Sequence, residues 1–260
     1  MGGGTEVKDR GYVNDIRSFE VLNPLPVPYD EGIIEINKFM TNVPEKPYED
    51  FLMAFQPDVI HIHTLMGMHE AFLTSAKKLN IRTVFTAHDF FPVCPKVKLF
   101  RNGDICQTAG RCLDCPQCNS SALNLWKITL LQSSTYRNLK DSALVKAMRR
   151  NHRSKYFNDE DQQTKVNVTT QPNDYMALRQ RYLKMLNLVD CIHYNSTVTK
   201  DVYESFIAFQ NSMVLPITHA NIGDHRRIKA FGKNLRLTFL GGDGGAKGFF
   251  GSRRLSMSWG

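Results

Sequence analysis

The pattern of apolar and polar residues predicts strands that alternate with helices. DVIHIH, residues 58–63, is a short apolar run with strand character. RTVFTA, residues 82–87, is a second such run. Between them, apolar or small residues recur at intervals of three and four, as on one helical face: Met68, Ala71, Phe72, Ser75, Ala76 and Leu79. The unit has the size of a right-handed crossover between parallel strands.

The same alternation continues along the chain. A second amphipathic helix is predicted within residues 174–190, with an apolar face of Tyr175, Leu178, Tyr182, Met185, Leu186 and Val189. A short strand at 191–195 and a helix capped by Ser196 or Thr197 follow it. Residues 212–217 and 235–242 are further strand candidates, whereas residues 8–19 show only a brief helical pattern. The prediction is an α/β fold, a Rossmann-like parallel sheet with helices on both faces.

Three histidines lie in or after the first two predicted strands. His61 and His63 are two residues apart, so their side chains point to the same face of the sheet. We interpret His61 as a hydrogen-bonded core residue. His63 and His88 each stand at the carboxyl end of a strand, where open α/β sheets bind ligands. A metal site built from the three is disfavoured, because nothing fixes a third ligand at the required distance.

Composition is that of a globular chain with a basic surface. Of 260 residues, 42% are hydrophobic, and the net charge of +8 favours an anionic partner. No apolar run approaches the roughly 20 residues of a membrane-spanning helix. The N-terminus lacks the layout of a signal peptide. We expect a cytoplasmic protein, with a peripheral contact to the inner face of the membrane as an open alternative.

That alternative depends on one basic segment. Residues 140–157 carry a single acid, Asp141, and six basic residues: Lys140, Lys146, Arg149, Arg150, Arg153 and Lys155. The segment is either a solvated helix face or a patch for a membrane surface or acceptor phosphates. LNLWKITLL, residues 123–131, supplies apolar residues that an interfacial helix would bury.

Five cysteines fall within 25 residues: Cys94, Cys106, Cys112, Cys115 and Cys118. CLDCPQC has the two-residue spacing that lets thiolates converge on one ion. Without export signals disulfides are not expected, so two interpretations stay open. The cysteines are reduced structural thiols, or four of them hold a structural zinc.

Four segments in order resemble the landmarks of the family 4 glycosyltransferases. They are PDVIHIH, TVFTAHDFFPVCP, LVDCIHYNSTVTKDVY and LRLTFLGG, the last followed by Lys247 and Gly248, so the resemblance covers residues 57–248. It implies half of the two-domain GT-B fold and retaining hexosyl transfer from a nucleotide sugar to a glycan or lipid-linked acceptor. The implied process is polysaccharide biosynthesis for the cell envelope. No cofactor is implied for catalysis.

The resemblance also implies roles for individual residues. His88 matches a histidine beside the donor sugar, where an imidazole can bond a hydroxyl as charge develops. Asp89 would orient His88 or contact the acceptor, and His63 would bind the acceptor. Lys247 matches a lysine that neutralises the donor diphosphate. The residues Gly2, Gly3 and Gly4 resemble a glycine-rich loop beside that diphosphate.

The resemblance divides the chain into two parts. Residues 1–234 are expected to form the N-terminal, acceptor-side domain, with a cysteine-rich insertion at 94–118. Residues 235–260 are expected to begin a truncated donor-side domain. The pattern departs from the family at Gly242, where arginine is frequent, in the strand expected before Gly2 and in the donor-site glutamates. We expect this chain to bind acceptor weakly without turning over.

Two functions of other classes stay open. One is a nucleic-acid module in which the cysteines form a zinc ribbon and the basic segment contacts phosphates. The segment around Cys118 carries no interleaved aromatic or basic residues at a recognition spacing, so a nucleic-acid partner is not expected. The other is a non-catalytic interaction protein.

Overall fold

The computed structural model of the protein describes residues 4–28, 31–101, 104–106, 109–143, 145–148 and 170–216, and also Gly223. Over these ranges the chain is mixed α/β, with one four-stranded sheet and two two-stranded sheets. In chain order the elements are β1 (Glu6–Val13), β2 (Ile16–Leu22), a 3-10 helix (Ile36–Phe39), α1 (Lys46–Phe55), β3 (Val59–Ile62), α2 (Glu70–Lys78), β4 (Arg82–Ala87), β5 (Phe100–Arg101), β6 (Asp104–Ile105), a 3-10 helix (Ala109–Arg111), α3 (Cys115–Cys118), α4 (Leu125–Gln132), α5 (Ser134–Leu139), α6 (Pro172–Asn187), β7 (Cys191–Tyr194), α7 (Thr197–Glu204) and β8 (Ser212–Val214).

The four-stranded sheet is parallel throughout, with the spatial order β3, β4, β7, β8. Helix α2 connects β3 to β4, and α7 connects β7 to β8. The parallel crossover predicted for residues 58–87 is therefore confirmed. Ser196 is the N-cap of α7, and its Oγ accepts a hydrogen bond of 3.1 Å from the Thr199 backbone N–H.

The two faces of this sheet differ in burial. One face is buried, and its side chains include Ile62, Phe85, Ala87, Ile192 and Tyr194. Helices α2, α6 and α7 all contribute buried side chains to the same core. His61 and His63 lie on the opposite face and are exposed. Over the described ranges the crossover helices thus cover one face, and a layer on the other face stays a prediction.

Helix α6 is the main support of the buried face. The apolar side predicted from the sequence is buried at all five positions within the helix: Tyr175, Leu178, Tyr182, Met185 and Leu186. The Oη of Tyr175 donates to the carbonyl of Ile33 at 2.7 Å, and the Oη of Tyr182 donates to that of Phe39 at 3.1 Å. An unpaired buried hydroxyl costs about 1–3 kcal/mol. These bonds therefore allow two phenol rings to fill the core.

The front of the chain corrects one sequence prediction. Residues 8–19 do not form a helix, because they lie in the antiparallel hairpin of β1 and β2. Asn14 and Asp15 at its turn have φ of 49° and 63°, as a two-residue hairpin loop of the primed type requires. Polar residues spaced around apolar ones imitate a short helical pattern here. The turn chemistry of the Asn-Asp pair was the better signal.

Residues 94–118 lie between β4 and α6 and contain the antiparallel pair of β5 and β6, a 3-10 turn and α3. Their status as an insertion stays a prediction. The strand candidate at 235–242 and the second predicted domain at 235–260 lie outside the described residues. Residues 149–157 of the basic segment also lie outside them.

Among the described residues, no helix combines the length and apolar character that a bilayer crossing requires. Helix α6, the longest of the helices given above, has 16 residues and carries Arg179, Arg181 and Lys184.

Candidate functional site

The carboxyl ends of β3 and β4 bring His63 and His88 together. The two strands are parallel neighbours, so both leave the sheet at the same edge. His63 and His88 each follow their strand by one residue, and both side chains are exposed. His63 Nδ1 lies 2.9 Å from His88 Nε2. Two residues selected from the sequence are thus in direct contact.

A hydrogen-bonded chain starting at His61 crosses three strands on the same face. His61 Nε2 lies 2.7 Å from Thr86 Oγ1, which lies 3.0 Å from His193 Nδ1. His193 Nε2 in turn lies 2.7 Å from the carbonyl oxygen of Leu215. The ring of His61 is hydrogen-bonded as interpreted from the sequence, but its burial in the core was wrong, because the side chain is exposed.

The Leu215 carbonyl fixes the direction of this chain for neutral rings. A carbonyl oxygen only accepts, so His193 Nε2 carries the hydrogen and His193 Nδ1 is left as an acceptor. The Thr86 hydroxyl therefore donates to His193, and its oxygen accepts from His61 Nε2. The chain selects the Nε2–H tautomer of both histidines.

Thr86 and His193 are site residues that sequence reasoning missed. Thr86 stands two residues before His88 and therefore shares its face, a signal that was present in the sequence. His193 pairs directly with Thr86 across β4 and β7. That pairing depends on strand order and register, which the local pattern does not contain.

The pKa of His61 is lowered from its ordinary value. Partial desolvation is the first cause, and the neighbouring His63, His193 and His88 add repulsion if they are charged. The rings of His61 and His63 have centroids only 4.1 Å apart. Charge on any of these three neighbours therefore opposes protonation of His61.

Asp89 has a structural role in the turn after β4. Its Oδ1 accepts a hydrogen bond of 2.8 Å from the Phe91 backbone N–H, and its backbone carbonyl accepts one of 2.6 Å from Tyr203 Oη. Burial raises the pKa of Asp89, and the Phe91 N–H opposes this. The carboxyl group thus fixes the backbone that carries His88.

The predicted diphosphate residues are mostly beyond what the structure describes. Gly4 lies just before β1, and its carbonyl accepts a hydrogen bond of 3.0 Å from Asn23 Nδ2. Gly2, Gly3 and Lys247 lie outside the described residues. Their donor-binding roles stay predictions.

The structure joins none of the six cysteines in a disulfide. Burial raises the pKa of Cys94 to about 11 and also raises that of Cys118. A hydrogen bond between Cys112 and Cys115 lowers the pKa of Cys112 to about 7 and raises that of Cys115. Within the described ranges, no group of three or more His, Cys, Asp or Glu side chains is placed to hold a metal ion.

Arg179 of α6 is a buried cation beside these thiols, and sequence reasoning missed it. Its Nε donates to the Val93 carbonyl at 2.9 Å, and its guanidinium lies 5.2 Å from the ring centroid of Phe206. It also stabilises the Cys112 thiolate, which contributes to the lowered pKa of Cys112. An arginine on the otherwise apolar side of α6 was the available signal.

Comparison with known proteins gives one short similarity. Over 58 residues the chain is 34% identical to a Klebsiella pneumoniae protein described as "Uncharacterized 42.6 kDa protein in cps region". The match covers 22% of this chain and 16% of that protein. No family profile matches the chain. No solved structure matches it.

We predict that acid destabilises the fold through His61 and His69. Burial lowers the pKa of His69, whose Nδ1 lies 2.7 Å from Tyr48 Oη, and the pKa of His61 is lowered as described above. When the pH falls below the ordinary value of 6.5, the unfolded chain takes up protons that the folded chain resists. The free energy of unfolding, measured by urea denaturation, should therefore decrease between pH 7.5 and 5.

A double variant, His61→Gln with His69→Gln, provides the comparison. Its free energy of unfolding should change less over the same pH range than that of the unmodified chain. An undiminished pH dependence would show that other groups cause the acid sensitivity.

Proposed function

We propose that residues 1–234 form the acceptor-side domain of a retaining GT-B glycosyltransferase, and that residues 235–260 begin its donor-side domain. The observation that carries the proposal is the contact of His63 with His88 at the carboxyl edge of a parallel sheet. Two exposed imidazoles at such an edge offer both donors and acceptors to the hydroxyl groups of a sugar. Neutral imidazole also suits proton transfer near neutral pH.

The short similarity to a cps-region protein supports the substrate class. That protein is described only by its place in a cps region, and cps denotes capsular polysaccharide, so the similarity suggests a link to polysaccharide. We therefore propose a nucleotide-sugar donor and a glycan or lipid-linked acceptor. In this scheme His88 bonds the reacting sugar, His63 lies on the acceptor side, and Gly2, Gly3, Gly4 and Lys247 approach the donor diphosphate.

Catalysis in this scheme needs no metal. As the bond between sugar and diphosphate breaks, positive charge develops at the anomeric carbon and negative charge on the leaving group. His88 bonds a hydroxyl of the sugar and fixes its position. Asp89 holds the backbone turn on which His88 stands, through its bond to the Phe91 N–H. A non-catalytic interaction protein is the alternative.

We predict that His88→Ala removes most transferase activity. Transfer of labelled sugar should be measured with the chain joined after Lys247 to the donor-side domain of a GT-B glycosyltransferase, because that domain binds most of the donor. Losing one preorganised hydrogen bond at the reacting sugar should lower the rate about 100-fold or more. Lys77→Ala, at an exposed position of α2, serves as the control and should leave the rate unchanged.

Two results would count against the proposal. Transfer that is indifferent to His88→Ala would place the site elsewhere. If no nucleotide sugar and no lipid-linked sugar shifts the NMR signals of His63 and His88 in the chain itself, the alternative of an interaction protein gains support.

We also propose that the cysteines of residues 94–118 hold one structural zinc. Cys118 and Cys106 act electrostatically on the Cys94 thiol, and Cys112 and Cys94 act on that of Cys115, so the thiols are near one another. Four thiolates satisfy the tetrahedral preference of zinc. Because the described side chains are not already placed around an ion, zinc must draw them together as it displaces their protons.

We predict about one zinc per chain after purification under reducing conditions, bound by four of the five thiols. Elemental analysis measures the content, and chelation should lower the melting temperature. Cys118→Ser should lose the metal, whereas Cys191→Ser, a matched change on β7, should keep it. Metal-free protein whose melting temperature is insensitive to chelators would exclude the site.

A peripheral membrane contact is a third proposal. On α4 the side chains of Trp126 and Leu130 are 63% and 54% exposed, and Lys127 lies beside the Trp126 ring. Lys140 and Lys146 are also exposed. An apolar side chain pair flanked by cations fits the surface of an anionic bilayer.

We predict that the chain floats with anionic vesicles at low salt and not with zwitterionic ones. Leu130→Ser should weaken flotation, because it removes an apolar side chain from the contact. Leu113→Ser is the matched control, since Leu113 is also 54% exposed but lies outside α4. Absence of flotation at low salt, or equal weakening by both variants, would rule out a contact through α4.

A further inference from the structure

The contact between His63 and His88 restricts the protonation of both rings. Two nitrogens 2.9 Å apart form a hydrogen bond only when one carries a hydrogen and the other offers a lone pair. If both imidazoles were fully protonated, the facing nitrogens would each carry a hydrogen and the bond would break. Of the two facing nitrogens, His63 Nδ1 and His88 Nε2, one therefore carries a hydrogen and the other accepts it.

Asp89 makes its side-chain hydrogen bond to the turn and not to His88, and its expected role of orienting His88 or contacting the acceptor stays a prediction. Its Oδ1 is engaged by the Phe91 N–H at 2.8 Å, and its carbonyl by Tyr203 Oη at 2.6 Å. Among the hydrogen bonds of the described residues, the side-chain bond of His88 is the one to His63. The ring of His88 thus takes its orientation from His63.

The ring of His63 packs between the rings of His61 and His88. The centroid of its ring lies 4.1 Å from that of His61, and 5.2 Å from that of His88, to which it is nearly parallel at 23°. His61 is fixed by its bond to Thr86. His63 therefore stands between one ring that the sheet immobilises and one ring that faces solvent.

We propose that His63 is a positioning residue for His88. By bonding Nε2 of His88 it fixes one ring orientation and couples the tautomers of the two rings, and it leaves Nδ1 of His88 as the nitrogen that meets a ligand hydroxyl. The role in sugar transfer rests on the proposed function. The hydrogen bond and its effect on the tautomers do not depend on the proposed function.

The tautomer of each histidine can be read directly in the full chain. Long-range nitrogen NMR of protein labelled with ¹⁵N-histidine distinguishes protonated from unprotonated ring nitrogens, and single variants assign the signals. Because only one of the two facing nitrogens carries a hydrogen, the share of His88 protonated on Nε2 should equal the share of His63 protonated on Nε2 in the unmodified chain. In His63→Phe, which keeps a ring but loses Nδ1, the tautomer ratio of His88 should shift toward that of a free imidazole.

Two further variants separate positioning from packing. His63→Asn carries an amide that can reach the place of Nδ1 and bond Nε2 of His88, so the tautomer ratio of His88 should differ from that in His63→Phe. His61→Phe makes the same change on the same face two residues earlier, and His88 should keep the tautomer ratio of the unmodified chain. The midpoint of urea denaturation should not shift in His63→Phe, because the side chain is exposed.

The inference is overturned if His88 has the same tautomer distribution in His63→Phe as in the unmodified chain. It is also overturned if His61→Phe disturbs His88 as strongly as His63→Phe does. Failure of the proposed function looks different: His88 would be fixed by His63 as expected, but transfer by the joined enzyme would be indifferent to His88→Ala.

Discussion

The handedness of the parallel crossover is the constraint on which this structure depends. Successive strands are added in one direction, in the order β3, β4, β7, β8. Because each connection between parallel strands is right-handed, connections that move in the same direction place their helices on the same face. The shared core of α2, α6 and α7 agrees with this rule. One face of the sheet becomes the core, and the other carries His61, His63, Thr86 and His193.

The histidine edge follows from this division. His61, His63 and His193 occupy the second face, where the rings of His61 and His63 lie together and His61 and His193 both bond Thr86. Parallel pairing then brings the ends of β3 and β4 together, so that His63 contacts His88. The buried face contributes indirectly, since Tyr203 of α7 holds the backbone carbonyl of Asp89. Core and site are thus connected through one turn.

The thiol region is connected to the same core by α6. Arg179 lies on the buried side of that helix, between the Val93 carbonyl and the Phe206 ring. A buried guanidinium is tolerated only where its donors are satisfied, and the neighbouring Cys112 provides a site for negative charge. The segment that carries the cysteines is therefore anchored electrostatically as well as by packing.

The hydrophobic pattern predicted β3, β4, β7, β8, α2, α6 and α7 and the parallel pairing of β3 with β4, but it did not lead us to α1, β1 or β2. The faces of α2 and α6 and the cap at Ser196 were predictable because these signals are local. Local signals also placed His63 and His88 at strand ends. At residues 8–19 the weak helical periodicity was misleading, because the segment forms an antiparallel hairpin.

The full strand order and the register between strands depend on the tertiary fold and could not be read from the sequence. That register joins Thr86 to His193, 107 residues apart in sequence, and it exposes His61, whose position within a strand had suggested burial. The tertiary structure also brings His63 into hydrogen-bond contact with His88. It places the Asp89 carboxylate where it accepts from the Phe91 N–H in the turn after β4. Such contacts depend on the direction in which each crossover returns to the sheet, which no short stretch of sequence encodes.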